Sequence, residues 1–195
     1  MSRKIKPKDW NRFSANTRVM NGAPFVAFKT PISTDYSWTP RKLVQKFPNL
    51  DHLIDLNFTD KYYNPAQLQA LKPELTFIRI PTKGLELPNL DTINRFFDSC
   101  DEILEDNESA TIGVICTYGN NRAGYMICRY LIERKGWLPE DAIDEFREAR
   151  GYGIERPHYL TSLQNLKPNI ENHDDDDDDD DDDDLAINLT SLKIK

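Results

Sequence analysis

A cysteine and an arginine separated by five residues stand near the middle of this 195-residue chain, in Cys116-Thr117-Tyr118-Gly119-Asn120-Asn121-Arg122-Ala123-Gly124-Tyr125-Met126. Those residue types at that spacing make a phosphate trap with a nucleophile at its base. A short loop between a strand and a helix can curl its backbone N–H groups around one phosphoryl group, and the helix adds the positive end of its dipole. The same field favours the thiolate form of a cysteine at the loop's start. Arg122 can reach back over the loop and grip two phosphate oxygens through its planar fork, which a lysine cannot do.

The flanks must supply the strand and the helix, and they do. Thr111-Ile112-Gly113-Val114-Ile115 is a short, β-branched, apolar run, as expected of a strand buried on both faces. From Arg122 onward Tyr125, Ile127, Cys128, Tyr130, Leu131 and Ile132 recur at helical steps, and Gly136 stands where a C-cap glycine belongs. The alternative, an ordinary buried Cys116 and a surface Arg122, leaves that strand–loop–helix order unexplained.

Cys-Thr-x-Gly-x-Asn-Arg-x-Gly-Tyr, followed by Ile127-Cys128-Arg129-Tyr130-Leu131-Ile132, resembles the cysteine-dependent phosphatases, in the branch that acts on RNA 5′ ends. That branch includes the triphosphatase domain of animal mRNA capping enzymes and the PIR1-type dual-specificity phosphatases. The resemblance covers about residues 10–166. It takes in Phe25-Val26-Ala27-Phe28-Lys29-Thr30-Pro31, Leu53-Ile54-Asp55-Leu56 with Tyr62-Tyr63, Lys83-Gly84, and Ala149-Arg150-Gly151 through Ile154-Glu155-Arg156 to Tyr159. It implies Cys116 and Arg122 as catalytic residues. Thr117, Tyr118, Gly119, Asn120, Asn121, Ala123 and Gly124 become the substrate-binding loop, and Asn121 before the arginine is a hallmark of the branch.

Two positions depart from the family pattern. Ile115 stands where a histidine normally precedes the nucleophile, and Ala123 where a serine or threonine hydroxyl normally assists departure of the thiolate. Attack is therefore expected to survive better than turnover, with phosphocysteine accumulating.

Two further cations are candidates for the substrate. Lys83 matches the Lys-Gly of the capping-enzyme loop and would contact inner phosphates, or it is simply solvated. Arg156, in a segment resembling the PIR1 type, would reach the substrate, or it pairs with Glu155. The Pro81-to-Pro88 stretch offers Glu86, and then Asp91, as acids. Asp91 suits the first turn of a helix better, where it complements the dipole. Triphosphate ends have good leaving groups and make less demand on an acid. Arg129, two turns beyond the loop, should point away from the phosphate, and Cys100 and Cys128 read as packed core residues.

The formal charge of −8 misleads, because Asp174 to Asp184 is an unbroken run of eleven aspartates; the remainder carries 22 acidic against 25 basic side chains, a balance of +3. A mildly basic body suits a polyanionic substrate. The composition, 38% hydrophobic over 195 residues, allows one core of ordinary size. Three cysteines make no disulfide framework and suit a reducing compartment. No signal peptide or membrane-spanning stretch is present, so a soluble, intracellular protein without membrane partners is expected.

Periodicity predicts strands at residues 25–28, 53–58, 75–80 and 111–115. Helices are predicted from Thr39-Pro40 to about Lys46, after Asn64-Pro65, through Ile93 to Leu104, from Arg122, from Pro139 to Gly151, and from Pro157. The alternation implies an α/β cysteine-phosphatase fold, a mostly parallel central sheet flanked by helices on both faces, with the loop at the strands' carboxyl ends.

Three segments follow: a basic arm at 1–9, a phosphatase domain at 10–166 and an acidic, disordered tail at 167–195. The tail either only solvates or competes with RNA for a basic face, and it would suit a basic protein partner. It shows no spaced ligand pattern for a metal. Arg3-Lys4-Ile5-Lys6-Pro7-Lys8 reads as a nuclear signal or an RNA-contacting arm, which gives the nucleus, otherwise the cytoplasm, as the expected location.

The reading as a whole is an RNA 5′-triphosphatase, acting either as that alone or as a diphosphatase too, that needs no metal or cofactor and acts on RNA with a 5′-triphosphate or 5′-diphosphate end. A protein tyrosine or dual-specificity phosphatase and a slow or inactive RNA-end-binding module are the alternatives.

Overall fold

The computed structural model describes residues 7–33, 37–59 and 62–169. The poly-aspartate run and residues 1–6 lie outside them, and with them most of the expected nuclear signal, the expected tail partner and the expected tail disorder beyond Asn169, whose N–H donates to the Ile132 carbonyl. The described elements are β1 (Phe25–Lys29), α1 (Pro40–Lys46), β2 (His52–Asp55), α2 (Ala66–Leu71), β3 (Thr76–Arg79), α3 (Leu90–Asp106), β4 (Ile112–Cys116), α4 (Asn121–Lys135), α5 (Pro139–Arg150) and α6 (Pro157–Gln164). A single turn of 3-10 helix, Trp10–Arg12, precedes β1.

The four strands form one sheet in the order β1-β4-β2-β3, every pair parallel. The expected α/β architecture is therefore present. Parallel neighbours need covered crossovers, and the helices that cover them divide the interior into two cores. On one face Phe25, Ala27, Ile112 and Val114 pack against α3, α4, α5 and α6. On the other Val26, Phe28, Leu53 and Ile115 pack with Leu43, Leu68 and Trp10. Strand alternation thus sends Cys116 to the α4 side and Ile115 to the opposite core.

Local signals placed most helix ends. Thr39 accepts from the N–H of Lys42 and Pro40 occupies the first turn of α1. Gly136 and Gly151 close α4 and α5 in the left-handed conformation. Asp91 lies in the first turn of α3. Most strand boundaries shift by one residue, and two boundary shifts, one of a strand and one of a helix, have a visible side-chain cause. Strand β2 ends at Asp55 rather than 58, because the Asp55 carboxylate takes the N–H of Asn57 and turns the chain out of the ladder. Helix α2 starts one residue later than the Asn64-Pro65 pattern suggests; Asn64 Oδ1 accepts from Ala66 N instead.

Centrally, β4 is so crowded by side chains of its neighbours β1 and β2 that a Cβ on Gly113 would stand 2.7 Å from Phe28 and 2.8 Å from Leu53. Gly113→Ala is therefore expected to cost about 1–3 kcal/mol through overpacking. Urea denaturation should show a lower midpoint with unchanged slope; an unchanged midpoint would contradict the packing described.

Candidate active site

Cys116 ends β4, and α4 begins at Asn121, so the loop between them is four residues long. Its carbonyls are all held from behind. The Cys116 carbonyl accepts from both the N–H (3.1 Å) and the hydroxyl (3.1 Å) of Thr30, and the Thr117 carbonyl from the N–H of Thr30 (3.3 Å). The Tyr118 and Gly119 carbonyls accept from the Arg150 guanidinium at 2.8 and 2.9 Å. The Asn120 carbonyl accepts from Gly124 N–H at 2.7 Å. In a trans peptide C=O and N–H point opposite ways, so pinning five carbonyls rearward turns the following N–H groups forward. No side chain caps the N-terminus of α4, which leaves its first amides to a ligand.

The cavity in front of the loop measures about 210 Å³ and is lined by Gly84, Cys116, Thr117, Tyr118, Asn120, Asn121, Arg122 and Arg156. Arg122 does not wave free. Its Nη1 donates to the carbonyls of Leu56 (2.9 Å) and Thr82 (2.8 Å), and its Nη2 to Thr117 Oγ1 (2.7 Å). The guanidinium plane is fixed before any phosphate arrives, which lowers the ordering cost of binding. Asn120 is buried, and its Nδ2 has no hydrogen-bond partner among the described residues.

Behind Arg122 runs a buried relay. Thr117 Oγ1 donates to Asn57 Oδ1, and Asn57 Nδ2 donates to Thr30 and to Asp55, whose second oxygen accepts from Tyr63. Thr30, Asp55 and Asn57 are 2% exposed or less, so every polar atom there must be satisfied within the fold. Burial pushes the Asp55 carboxyl above its usual value, against the weaker opposing pull of Asn57, Tyr63 and Arg79. Burial likewise pushes the Tyr63 hydroxyl up.

Asn121, singled out by its place before the arginine, acts sideways. Its Oδ1 accepts from the N–H groups of Glu155 (2.8 Å) and Arg156 (3.1 Å), which fixes the start of α6 at the cavity mouth. Arg156 lines the cavity, and Glu155 pairs with Arg12 instead. The Tyr159 hydroxyl then donates to the Glu86 carbonyl, tying α6 to the 81–88 segment.

Other expected site residues take different places. Lys83 lies outside the phosphate cavity: its ammonium is 3.7 Å from Glu86, both side chains are exposed, and it lines a neighbouring cavity. Ala123 is fully buried in the first core. Gly124 permits close packing of α4, since a Cβ there would stand 2.7 Å from Phe146 and from Ile154. Gly119 shapes the loop rather than lining the cavity. Arg129 faces away, held by Glu133 and the Tyr125 hydroxyl. Cys100 and Cys128 are buried, with their thiols pushed up by burial, as core cysteines are.

Sequence reasoning missed Thr30, Asn57 and, with the largest role of the three, Arg150. It is 1% exposed, and besides the loop carbonyls it donates to those of Ser14 and Asn16. Burial pushes its guanidinium down to about 10, with Cys116 acting in the opposite sense, so it remains a cation at neutral pH. The segment it clamps is a strap across the back of the loop. Phe13 stacks on Tyr118 at 4.9 Å, Tyr118 donates to the Lys8 carbonyl, and buried Lys29 donates to the Phe13 carbonyl and stands 4.2 Å over the Trp10 ring. Strap and domain are therefore continuous from Pro7. Only the long sequence separation between residues 14–16 and 150 hid this clamp; an arginine next to a helix-closing glycine otherwise reads as a surface charge.

With this geometry the comparisons with known proteins agree. Residues 37–168 match the family model "Dual specificity phosphatase, catalytic domain". The chain belongs to the dual-specificity phosphatase family. A "Tyrosine-protein phosphatase" of Autographa californica nuclear polyhedrosis virus is 34% identical over 80% of this chain and 98% of its own. The human "RNA/RNP complex-1-interacting phosphatase" is 35% identical over 82% of this chain, which spans about half (52%) of that relative's length. Among solved structures, Tk-PTP in its active form superposes with a TM-score of 0.58 at 16% identity, covering 76% of this chain and 96% of the other, and so shares the fold. This dual-specificity phosphatase domain carries β1 and the strap N-terminal to the matched region.

Two outcomes follow for this site. Gly119 has φ +71, and a Cβ there would lie 2.2 Å from the Phe28 carbonyl carbon, so Gly119→Ala forces the loop off β1. Its phosphatase activity should fall about 10²-fold while the fold persists; activity within twofold of wild type would contradict the assignment. For Asp55, the folded carboxyl holds its proton to higher pH than the unfolded one at 3.8. The folded state therefore binds more protons in that window and stability declines as pH rises through it. Asp55→Asn keeps the Oδ1 acceptor and should remove the decline. In urea unfolding, the stability of wild type minus that of Asp55→Asn should be lower at about pH 7 than at about pH 4; a constant difference would refute the buried-carboxyl account.

Proposed function

We propose that this phosphatase removes the terminal phosphate from RNA carrying a 5′-triphosphate or 5′-diphosphate end, without a metal ion. The observation that carries the reading is the pairing of two arginines on one small cavity: Arg122, whose guanidinium is fixed at the wall, and Arg156, whose backbone N–H is held at the mouth by Asn121. One guanidinium and a ring of amides suffice for a single phosphoryl group. A second cation at the mouth suits the further phosphates of a polyphosphate end. The cavity lining named above contains no carboxylate among the described residues, which favours a substrate whose leaving group needs no proton. The similarity to phosphatases named for an RNA/RNP complex supports the same substrate class.

The reaction runs as two displacements. Cys116 Sγ attacks the terminal phosphorus in line, the P–O bond to the next phosphate breaks, and the shortened RNA end leaves with that oxygen. Loop amides and Arg122 hold the equatorial oxygens of the transferring group. Water then attacks the phosphocysteine, releasing inorganic phosphate and restoring the thiolate. Ala123 offers no hydroxyl to the departing sulfur, so the second step is the slow one.

A second reading, protein tyrosine phosphatase, is favoured by the viral relative's name. One assay separates the two. Protein with chelator is incubated with γ-labelled triphosphate RNA and, in parallel, with a phosphotyrosine peptide, alongside Cys116→Ser. Phosphate release from RNA at the higher kcat/KM, abolished in Cys116→Ser, is the expected result. Release from the peptide alone selects the second reading, and tight RNA binding without release identifies an end-binding module. In the same assay Ala123→Thr should raise the steady-state rate about tenfold and deplete trapped phosphocysteine, a gain within the range of assisted departure; an unchanged rate with no trapped intermediate counts against the slow second step.

A further inference from the structure

Beside the phosphate cavity lies a second one of about 350 Å³, walled by Phe58 on one side and the 81–89 segment on the other. The two cavities share a partition. Arg122 Nη1 donates to the Leu56 carbonyl, two residues before Phe58, and to the Thr82 carbonyl, and while Gly84 lines the first cavity its neighbour Lys83 lines the second. A ligand anchored by a phosphate at Cys116 that leaves over the 83–84 backbone therefore reaches the space in front of Phe58.

The surface there is unusually apolar for a solvent-facing loop. Of the six exposed large hydrophobic residues among those described, Phe58 (55% exposed) and Leu87 (43%) line this cavity, and Leu85 (72%) and Leu90 flank its lining residues in sequence. Exposed apolar groups gathered at one place mark a binding surface. The backbone agrees, since Leu85 is held at φ 77, a left-handed conformation that a leucine adopts only under constraint. The constraint is visible in the bond from Tyr159 to the carbonyl of the adjacent Glu86. The volume falls in the lower part of the range of small-ligand clefts.

We propose that this second cavity seats the 5′-terminal nucleoside of the RNA, its base stacked on the Phe58 ring. The proposal rests on the RNA-end reading of the phosphate cavity and extends it from the phosphates to the first nucleoside. An aromatic face with a cation on its phosphate side is the arrangement that holds single-stranded nucleic acid, and it accepts any base because every base presents a π face. Lys83, on the wall of the second cavity and 3.7 Å from Glu86 on the same wall, supplies that cation. The position that failed to enter the phosphate cavity is thereby assigned to the phosphates nearest the sugar.

The test compares a triphosphate-ended RNA with inorganic tripolyphosphate, which offers the same reacting chain and no nucleoside, using the full chain as wild type, Phe58→Ala and Phe58→Tyr. Phe58→Ala should raise KM for the RNA about tenfold more than KM for tripolyphosphate, the size of one base–aromatic stack, with kcat unchanged. Phe58→Tyr should restore the RNA value. Equal changes on both substrates, or none, overturn the nucleoside site while leaving the RNA-end reading intact. If Phe58→Ala instead raises KM for a phosphotyrosine peptide and not for RNA, the cavity takes a peptide side chain and the proposal fails. Wild-type protein that releases phosphate from tripolyphosphate but not from RNA, and whose Cys116→Ser form does not bind triphosphate RNA, overturns both readings together.

Discussion

Five consecutive carbonyls, from Cys116 to Asn120, point away from the cavity, and the chemistry of the protein depends on their staying there. Each is a strong acceptor that would repel a phosphate if its peptide unit rotated. Each is instead occupied by a donor from a different part of the chain: Thr30 after β1, Arg150 at the end of α5, Gly124 in the first turn of α4. A loop of four residues cannot hold such a conformation by itself. The parallel sheet brings β1 alongside β4, with Lys29 opposite Cys116, and so delivers Thr30 to the one place where both its N–H and its hydroxyl can act.

Arg150 is the costlier device. Burying a guanidinium without a carboxylate partner is unfavourable unless its donors are used, and four carbonyls use them. Two belong to the phosphate loop and two to the strap at Ser14 and Asn16, so one side chain sets the back of the active site and the path of the N-terminal segment. Strand alternation gives the departure at Ile115 a physical setting. The residue before the cysteine faces the opposite core, among Val26, Phe28 and Leu53, where an apolar side chain packs well. A cation beneath the loop is still present, reached from α5 rather than from β4.

The front of the site is organised by the same logic of fixed partners. The Arg122 guanidinium is oriented by two carbonyls and a hydroxyl, the backbone at Arg156 by the amide oxygen of Asn121, and the 81–88 segment by Tyr159. The buried relay through Asn57 and Asp55 joins the front to the back, since Thr30 serves both the relay and the Cys116 carbonyl. Such preorganisation places the reorganisation cost in folding, ahead of binding and reaction.

Much of this was legible in the chain. Cys116 and Arg122, the strand and helix around them, the glycine caps and the parallel α/β order all follow from local spacing and periodicity, because a strand, a tight turn and a helix are each specified by neighbours in sequence. Asn121 was conspicuous in the motif, but its partners, the amides of residues 155 and 156, were not. The end of β2 was misjudged by three residues because the Asp55 side chain, not propensity, turns the chain. Lys83 looked like a phosphate ligand by its place beside Gly84, and the fold sends it to the next cavity. The strand–loop–helix order around Cys116 and Arg122 and the layer architecture follow from the chain alone, since they rest on short-range geometry. What holds the loop open, and which cations lie beside it, comes from the folded molecule, because Thr30, Asn57, Arg150 and Arg156 reach the site across sequence separations that no local pattern encodes.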